Sequence, residues 1–355
     1  LSSQTDAILP DMHDPRDHAP EHVHAAAAQA GVSDESARRL LAAVLGHGVH
    51  DPAVWGRSYG VPRRWHDGWP PLPRLTLERR NVSPVDNFQK LLFRTGDGLA
   101  VETVLVPLHK EGAVSVCLSS QVGCPMACAF CATARMTRRR NLQTWEMIDQ
   151  WSQAREVARG QGRRVTGAVF MGMGEPFLNY DNVLAAAELM RFPYDGSIAG
   201  KAITISTVGL VPEIDRFTRE KRRFRLAISL GAATDAKRAR LVPVASRTPV
   251  AEVLAAARRH ALERRTRVML AYVCISGENV SEEDARALAD LIGDTPVRLD
   301  LIDVNDPTGT FHPPGPSELK SFRDALTLHL RQPVARRYSG GADINAACGT
   351  LAGQA

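Results

Sequence analysis

The chain has 355 residues, 44% of them hydrophobic, with 44 Lys+Arg against 39 Asp+Glu for a net charge of +5. That length can bury a full core, and the ordinary composition excludes disordered, collagen-like and small disulfide-scaffold proteins. No run approaches about 18 apolar residues, and the acidic opening (Asp6, Asp11, Asp14, Asp17) lacks a signal-peptide layout, so a cytoplasmic protein with no membrane contact is expected.

Residues 1–80 read as a small helical accessory domain. Ser33 precedes an amphipathic run with Ala37, Leu40, Leu41, Val44 and Leu45, and Asp34 and Glu35 fall in its first turn. The proline- and tryptophan-rich stretch from Pro62 to Pro73 breaks regular structure. Residues 81–355 form the second unit. It opens with two strands over 91–106, joined at Thr95-Gly96-Asp97-Gly98. Strands are then predicted over 114–119, 165–171, 202–206, 224–229, 268–275 and 297–302. Helices are predicted over 144–159, 182–190, 212–220, 250–264, 281–292 and 317–330. Six strand–helix units imply an α/β fold with a mainly parallel sheet, open or closed part-way into a (β/α)6 barrel. Chemistry in such folds gathers at the C-terminal ends of the strands.

The six cysteines stand at 117, 124, 128, 131, 274 and 348. Clustering of this kind points to metal or catalysis rather than disulfides. Cys124-Pro-Met-Ala-Cys128-Ala-Phe-Cys131 has C-x3-C-x2-C spacing just after the first core strand. A [4Fe–4S] cluster usually takes four protein thiolates, so three leave one iron open to chelate a small molecule. A structural zinc site is the competing reading, since Cys117 supplies a fourth thiol by count. The spacing, with Phe130 before the third cysteine, matches the radical-SAM signature. Met171-Gly-Met-Gly-Glu-Pro176 follows the next strand. Its Gly174 and Glu175 resemble the loop that holds the methionine amino group in radical-SAM enzymes. Cys274, inside an apolar strand, reads as a core residue.

A closer likeness follows from Ser119-Ser-Gln-Val-Gly-Cys124, the GMGEP loop with Asn179, Ala227-Ile-Ser-Leu230 and Asp343-Ile-Asn-Ala-Ala-Cys348-Gly. Together these resemble the RlmN/Cfr family over residues 85–355. The resemblance implies a partial (β/α)6 radical-SAM barrel and methylation of an adenine ring carbon, C2 or C8, in rRNA or tRNA. It implies a [4Fe–4S] cluster on Cys124, Cys128 and Cys131, and two S-adenosyl-L-methionine molecules per turnover. Gly174, Glu175, Ser206, Ser229 and Asn305 would contact adenosylmethionine. Cys348 would accept a methyl group by displacement, and a deoxyadenosyl radical would then activate it toward the base. Cys117 would resolve the resulting crosslink through a disulfide, and Glu102 would remove the proton from the substrate carbon. An electron donor such as flavodoxin or ferredoxin, an RNA partner and a monomeric state are expected.

Charge placement bears on the substrate. Residues 1–80 carry nine basic and ten acidic side chains, whereas residues 132–165 carry eight arginines against Glu146, Asp149 and Glu156. The second stretch predicts a phosphate-binding patch beside the cysteines. Departures from the family pattern at Gly231, at 303–306 and at Ser339-Gly340-Gly341 motivate an alternative, a radical-SAM C-methylase of a nucleoside or other small molecule. A non-catalytic iron–sulfur or zinc module that binds RNA is the third reading.

Overall fold

Runs rich in β-branched residues form the strands, and Ala- and Leu-rich amphipathic runs form the helices between them. The computed structural model describes residues 12–353, so the acidic opening at Asp6 and Asp11 lies outside the described residues. The strands are β1 (Thr76–Val82), β2 (Gln89–Arg94), β3 (Ala100–Pro107), β4 (Ala113–Leu118), β5 (Gln121–Val122), β6 (Arg140–Asn141), β7 (Arg164–Phe170), β8 (Ile203–Thr207), β9 (Arg225–Ser229), β10 (Val268–Cys274), β11 (Val297–Asp303) and β12 (Val334–Arg337). The helices are α1 (Pro20–Gln29), α2 (Asp34–Leu41), α3 (Pro52–Tyr59), α4 (Arg63–His66), α5 (Thr144–Arg159), α6 (Tyr180–Arg191), α7 (Val211–Arg219), α8 (Asp235–Leu241), α9 (Val250–Arg264), α10 (Glu282–Ile292) and α11 (Pro316–His329).

Ten strands make one mixed sheet in the order β1-β2-β3-β4-β7-β8-β9-β10-β11-β12. β1 to β4 pair antiparallel, and every pairing from β4 to β12 is parallel. The sheet stays open, with β1 and β12 at its two edges. All six predicted core strands appear, as β4 and β7 to β11. The two edge strands escaped prediction for a shared reason: β1 is exposed along nearly its whole length and β12 is half-buried with two arginines, so neither shows an apolar run. Ser33 caps α2 as its sequence predicts, by accepting the Ser36 N–H.

One apolar cluster runs from Val23, Leu40 and Trp55 in the N-terminal helices to Phe170, Ile205 and Leu270 in the sheet. Buried polar ties reinforce that junction. Arg155 of α5 donates to the Leu45 carbonyl at 2.7 Å. Arg16, 1% exposed, pairs with Asp14 at 2.7 Å and stacks over the Trp145 ring. Among the described residues no helix is long and apolar enough to cross a membrane.

Candidate active site

The cysteine loop leaves the end of β4 and turns sharply. Gly123 has φ +65°, and a Cβ there would lie 2.6 Å from the Arg138 carbonyl. Ala127 also adopts the left-handed region, at φ 55°, a conformation that costs energy in an alanine and tends to mark functional loops. Ala129 N–H donates to the Leu241 carbonyl, and Ala132 N–H donates to the Gly349 carbonyl at 2.8 Å. The second contact ties the residue after Cys131 to the residue after Cys348.

Cys124, Cys128 and Cys131 line one cavity at the C-terminal ends of the strands, together with Gly174, Glu175, Ser206, Ser229, Asn305 and Cys348. Residues from six separate segments of the predicted site therefore converge. Burial pushes the Cys124 thiol up to about 12, and burial followed by the charge of neighbouring Cys131 pushes Cys128 up as well. Three clustered thiols in a setting that disfavours bare thiolates fit a cationic iron cluster, which supplies the missing positive charge. Among the described residues no three His, Cys, Asp or Glu side chains converge as ligands of a single ion. Thiolates of a four-iron cluster each take a different iron and need not converge on a point. Cys117 lines a different cavity, so the fourth ligand of the zinc reading is missing from the cysteine loop.

The GMGEP loop is clamped to the segment after β4. Ser120 N–H donates to the Met173 carbonyl at 2.8 Å, and Met173 N–H donates to the Ser119 hydroxyl at 2.9 Å. A Cβ on Gly172 would fall 2.7 Å from the Leu118 carbonyl, and one on Gly174, at φ +103°, would fall 2.6 Å from Gln121 Cβ. These glycines serve close packing between two loops, not only access for a ligand. The Glu175 carboxylate accepts the Phe177 and Val208 N–H groups at 3.0 and 2.9 Å. Burial nevertheless pushes it up to about 7. A buried carboxyl aimed into the cavity suits an incoming ammonium group. Asn305 donates to the Ser339 hydroxyl at 2.9 Å and to the Asp303 carbonyl at 3.1 Å, which leaves its side-chain oxygen for a ligand.

Cys348 also lines a second, adjoining cavity with Cys117, Met171, Tyr338 and Leu351. Burial pushes the Cys117 thiol up to about 12, the charge of Cys348 adds to that, and Arg337 works against it. Arg337 lines both cavities. Sequence reasoning missed it. Along β12 Arg336 pairs with Asp303 at 2.6 Å while Arg337 turns inward, and the alternation of a strand was the available signal.

The tail bearing Cys348 is docked at both ends. Tyr338 hydroxyl and Gly341 N–H both donate to Asp86, at 2.9 and 2.8 Å. Gly340 packs so tightly that a Cβ would lie 2.4 Å from the Phe88 ring. At the far end Ala352 and Gly353 N–H groups donate to Glu102 Oε2 at 2.9 and 3.1 Å. Glu102, fully buried in β3, also pairs with Lys90 at 3.0 Å. It lines neither cysteine cavity but a polar cleft on the other side of the tail, with Lys90, Arg79 and Arg135.

The arginine-rich stretch is not one patch. Arg135 pairs with Asp306, and Arg140 is held by Asp97 and Glu146. Arg155 is buried. The 16-residue α5 carries Arg159 away from the cysteine loop, and Arg164 begins β7 at the opposite end of the sheet.

Residues 118–290 match the family model of the Radical SAM superfamily. A crystal structure of a radical SAM methyltransferase from Sphaerobacter thermophilus superposes with a TM-score of 0.84 and 35% identity, covering 96% of this chain and 99% of that one. Fold and converging cysteines thus define a radical-SAM protein. A probable RNA methyltransferase of Myxococcus xanthus is 47% identical over 336 residues, 94% of this chain and 92% of the relative. The dual-specificity RNA methyltransferase RlmN of Geobacter sulfurreducens is 41% identical over 285 residues, 80% of this chain and 76% of the relative. The chain belongs to the RlmN-like family of radical-SAM methyltransferases.

Proposed function

We propose that this protein methylates an adenine ring carbon, C2 or C8, in rRNA or tRNA, with Cys348 as the methyl carrier. The observation that carries this reading is the position of Cys348, which lines the three-cysteine cavity on one side and the Cys117 cavity on the other. Relatives named RNA methyltransferases support RNA as the substrate. An electron-poor adenine carbon is a poor nucleophile, so a carrier thiol is needed.

Cys124, Cys128 and Cys131 hold the [4Fe–4S] cluster. Glu175 takes the ammonium of adenosylmethionine, and Gly174, Ser206, Ser229 and Asn305 orient the rest of it. When bound, the cluster and adenosylmethionine supply the one-electron chemistry that removes hydrogen from an S-methyl group. Cys348 first takes a methyl group by displacement: a sulfur–carbon bond forms to the thiolate as the sulfonium–carbon bond breaks. After the methylene joins the base, the ring carbon gives up its proton, and the unpaired electron would return to the bound cluster, oxidised when adenosylmethionine was cleaved. The Cys117 thiolate then attacks Cys348 sulfur: a sulfur–sulfur bond forms as the sulfur–methylene bond breaks, and the methylene keeps that electron pair and takes a proton to become the product methyl. A thiol held near 12 is protonated at neutral pH, so Cys117 attacks only once the crosslinked tail has shifted and opened its surroundings. Glu102 acts as base only after the Ala352 and Gly353 N–H groups leave its oxygen. The helical segment within residues 1–80 serves as the accessory unit for RNA, and a reduced flavodoxin- or ferredoxin-type protein donates the electron.

Departures from the family pattern have local partners. The Gly231 carbonyl accepts from Asn279, and Asp306 accepts the Thr308, Thr310 and Phe311 N–H groups. They read as scaffold changes, which favours RNA over a small-molecule substrate. Mass spectrometry of total RNA from cells with and without the protein tests the proposal. Methylated adenines should vanish with Cys348→Ala, while reductive cleavage of adenosylmethionine persists. Methylated product from Cys348→Ala would refute the carrier mechanism. Cys117→Ala should accumulate a covalent protein–RNA adduct, visible as a shifted band on a denaturing gel.

A further inference from the structure

The charge surplus that the catalytic mouth does not use collects at the opposite end of the sheet. Three turns lie there, at 199–202 before β8, 219–224 before β9 and 264–267 before β10. They are neighbours in space. Arg191, Lys201 and Arg223 line one surface cleft. Arg264 donates to the Lys221 and Arg222 carbonyls at 3.0 and 3.3 Å, joining the second turn to the third. The parallel registers Thr204↔Arg225 and Met269↔Ala227 set Arg225 and Arg267 side by side at the N-terminal ends of β9 and β10.

Pairing separates this rim from the rest of an arginine-rich surface. On the adjoining helices Arg216, Arg258 and Arg259 each hold an aspartate. In the rim Lys201, Lys221, Arg223, Arg225, Arg265 and Arg267 are exposed, and no carboxylate lies within 4.0 Å of any of them among the described residues. Glu188 and Glu220 are occupied by Arg191, Arg216 and Arg222. Glu263 stands exposed nearby and holds none of the rim cations. Such a concentration of unpaired like charge is self-repelling unless an anion meets it.

We propose that this rim is a second RNA-binding surface, holding phosphates of the structured RNA substrate remote from the modified base. The proposal rests on the RNA reading above and extends it. Strands of five to seven residues separate the rim from the catalytic cavity, a span of roughly 20 Å. A nucleoside cannot bridge that distance, but a folded RNA can. Protein interfaces centre on apolar and aromatic anchors. None of the large exposed apolar side chains lies in the three turns, and Leu262, beside the third, is a single aliphatic side chain rather than an aromatic anchor. A cationic rim without anchors suits backbone phosphates, whose binding is driven by counterion release. An acidic electron carrier would have to dock near the cysteine loop instead.

The test uses the full-length, cluster-loaded protein. Lys201→Glu, Arg223→Glu, Arg225→Glu and Arg267→Glu are combined, with the four Gln substitutions as a milder second variant. Affinity for a transcribed, structured ribosomal RNA fragment is measured by anisotropy across a salt series. Loss of four phosphate contacts should weaken binding at least about tenfold at low salt and flatten the log–log salt dependence by about 3. RNA-independent cleavage of adenosylmethionine should match the unsubstituted protein in both variants, which reports an intact fold and site. Unchanged affinity and slope in a cleavage-competent variant would overturn the proposal. So would rim-dependent binding to anionic phospholipid vesicles with no rim dependence for RNA. Unsubstituted protein that neither binds nor methylates RNA overturns the RNA reading itself, whereas methylation unaffected by the variants overturns only the second surface.

Discussion

At the scale of single residues, the role proposed for Glu175 would make adenosylmethionine binding sensitive to pH. Burial holds its carboxyl near 7, so it is neutral below that value and charged above it. An ammonium ligand needs the charged form. Affinity for adenosylmethionine should therefore fall as pH drops below about 7, approaching tenfold per pH unit for a one-proton linkage. Equilibrium dialysis between about pH 8 and pH 6 checks this, and Glu175→Gln should bind weakly with a flat profile. Gly174 is fixed for a different reason. With φ +103° and a Cβ only 2.6 Å from Gln121 Cβ, Gly174→Ala combines backbone strain with overlap. It should lose about 2–3 kcal/mol of stability in urea unfolding. The sequence made these residues candidates through their position one strand after the cysteine cluster, since a lone Gly-Met-Gly could equally be a plain turn. It did not show that the glycines pack against Ser119–Gln121, since that contact joins segments more than fifty residues apart.

At the scale of elements, the tail is the piece that the proposed mechanism asks to change state. Its last turn depends on Glu102, whose Oε2 accepts two backbone N–H groups and whose Oε1 faces Lys90. Glu102→Ala would strand a nearly buried ammonium and release residues 352 and 353. A loss of about 3–5 kcal/mol is expected, together with faster proteolysis near the C-terminus and faster iodoacetamide labelling of Cys348. Glu102→Gln keeps an acceptor for the tail and should retain slow proteolysis. Strand–helix alternation was readable because parallel strands are buried on both faces and appear as continuous apolar runs. The tail's docking was not readable: it rests on backbone donors meeting Asp86 and Glu102, and backbone donors carry no sequence signal.

At the scale of the whole molecule, charge and core are distributed against first appearances. The helical segment that reads as a separable unit shares one apolar cluster with the sheet. Arg155 is its polar rivet, donating to the Leu45 and Asp195 carbonyls at 2.7 Å each. Arg155→Ala should lower the midpoint of unfolding in a single transition, at a cost of about 3 kcal/mol. Calorimetry showing two separate transitions would mean that the helices fold apart from the sheet. Net charge was legible in the sequence, but its geography was not, because a long helix carries part of the stretch 132–165 to the far end. The contact between Gly340 and Phe88 has a last consequence, for descent. A long side chain introduced at 340 meets the Phe88 ring and the Asp86 carboxylate at once. Position 340 can accept one only if its partner, 252 positions upstream, shrinks as well. The two sites are expected to change as a pair among diverging copies of this gene.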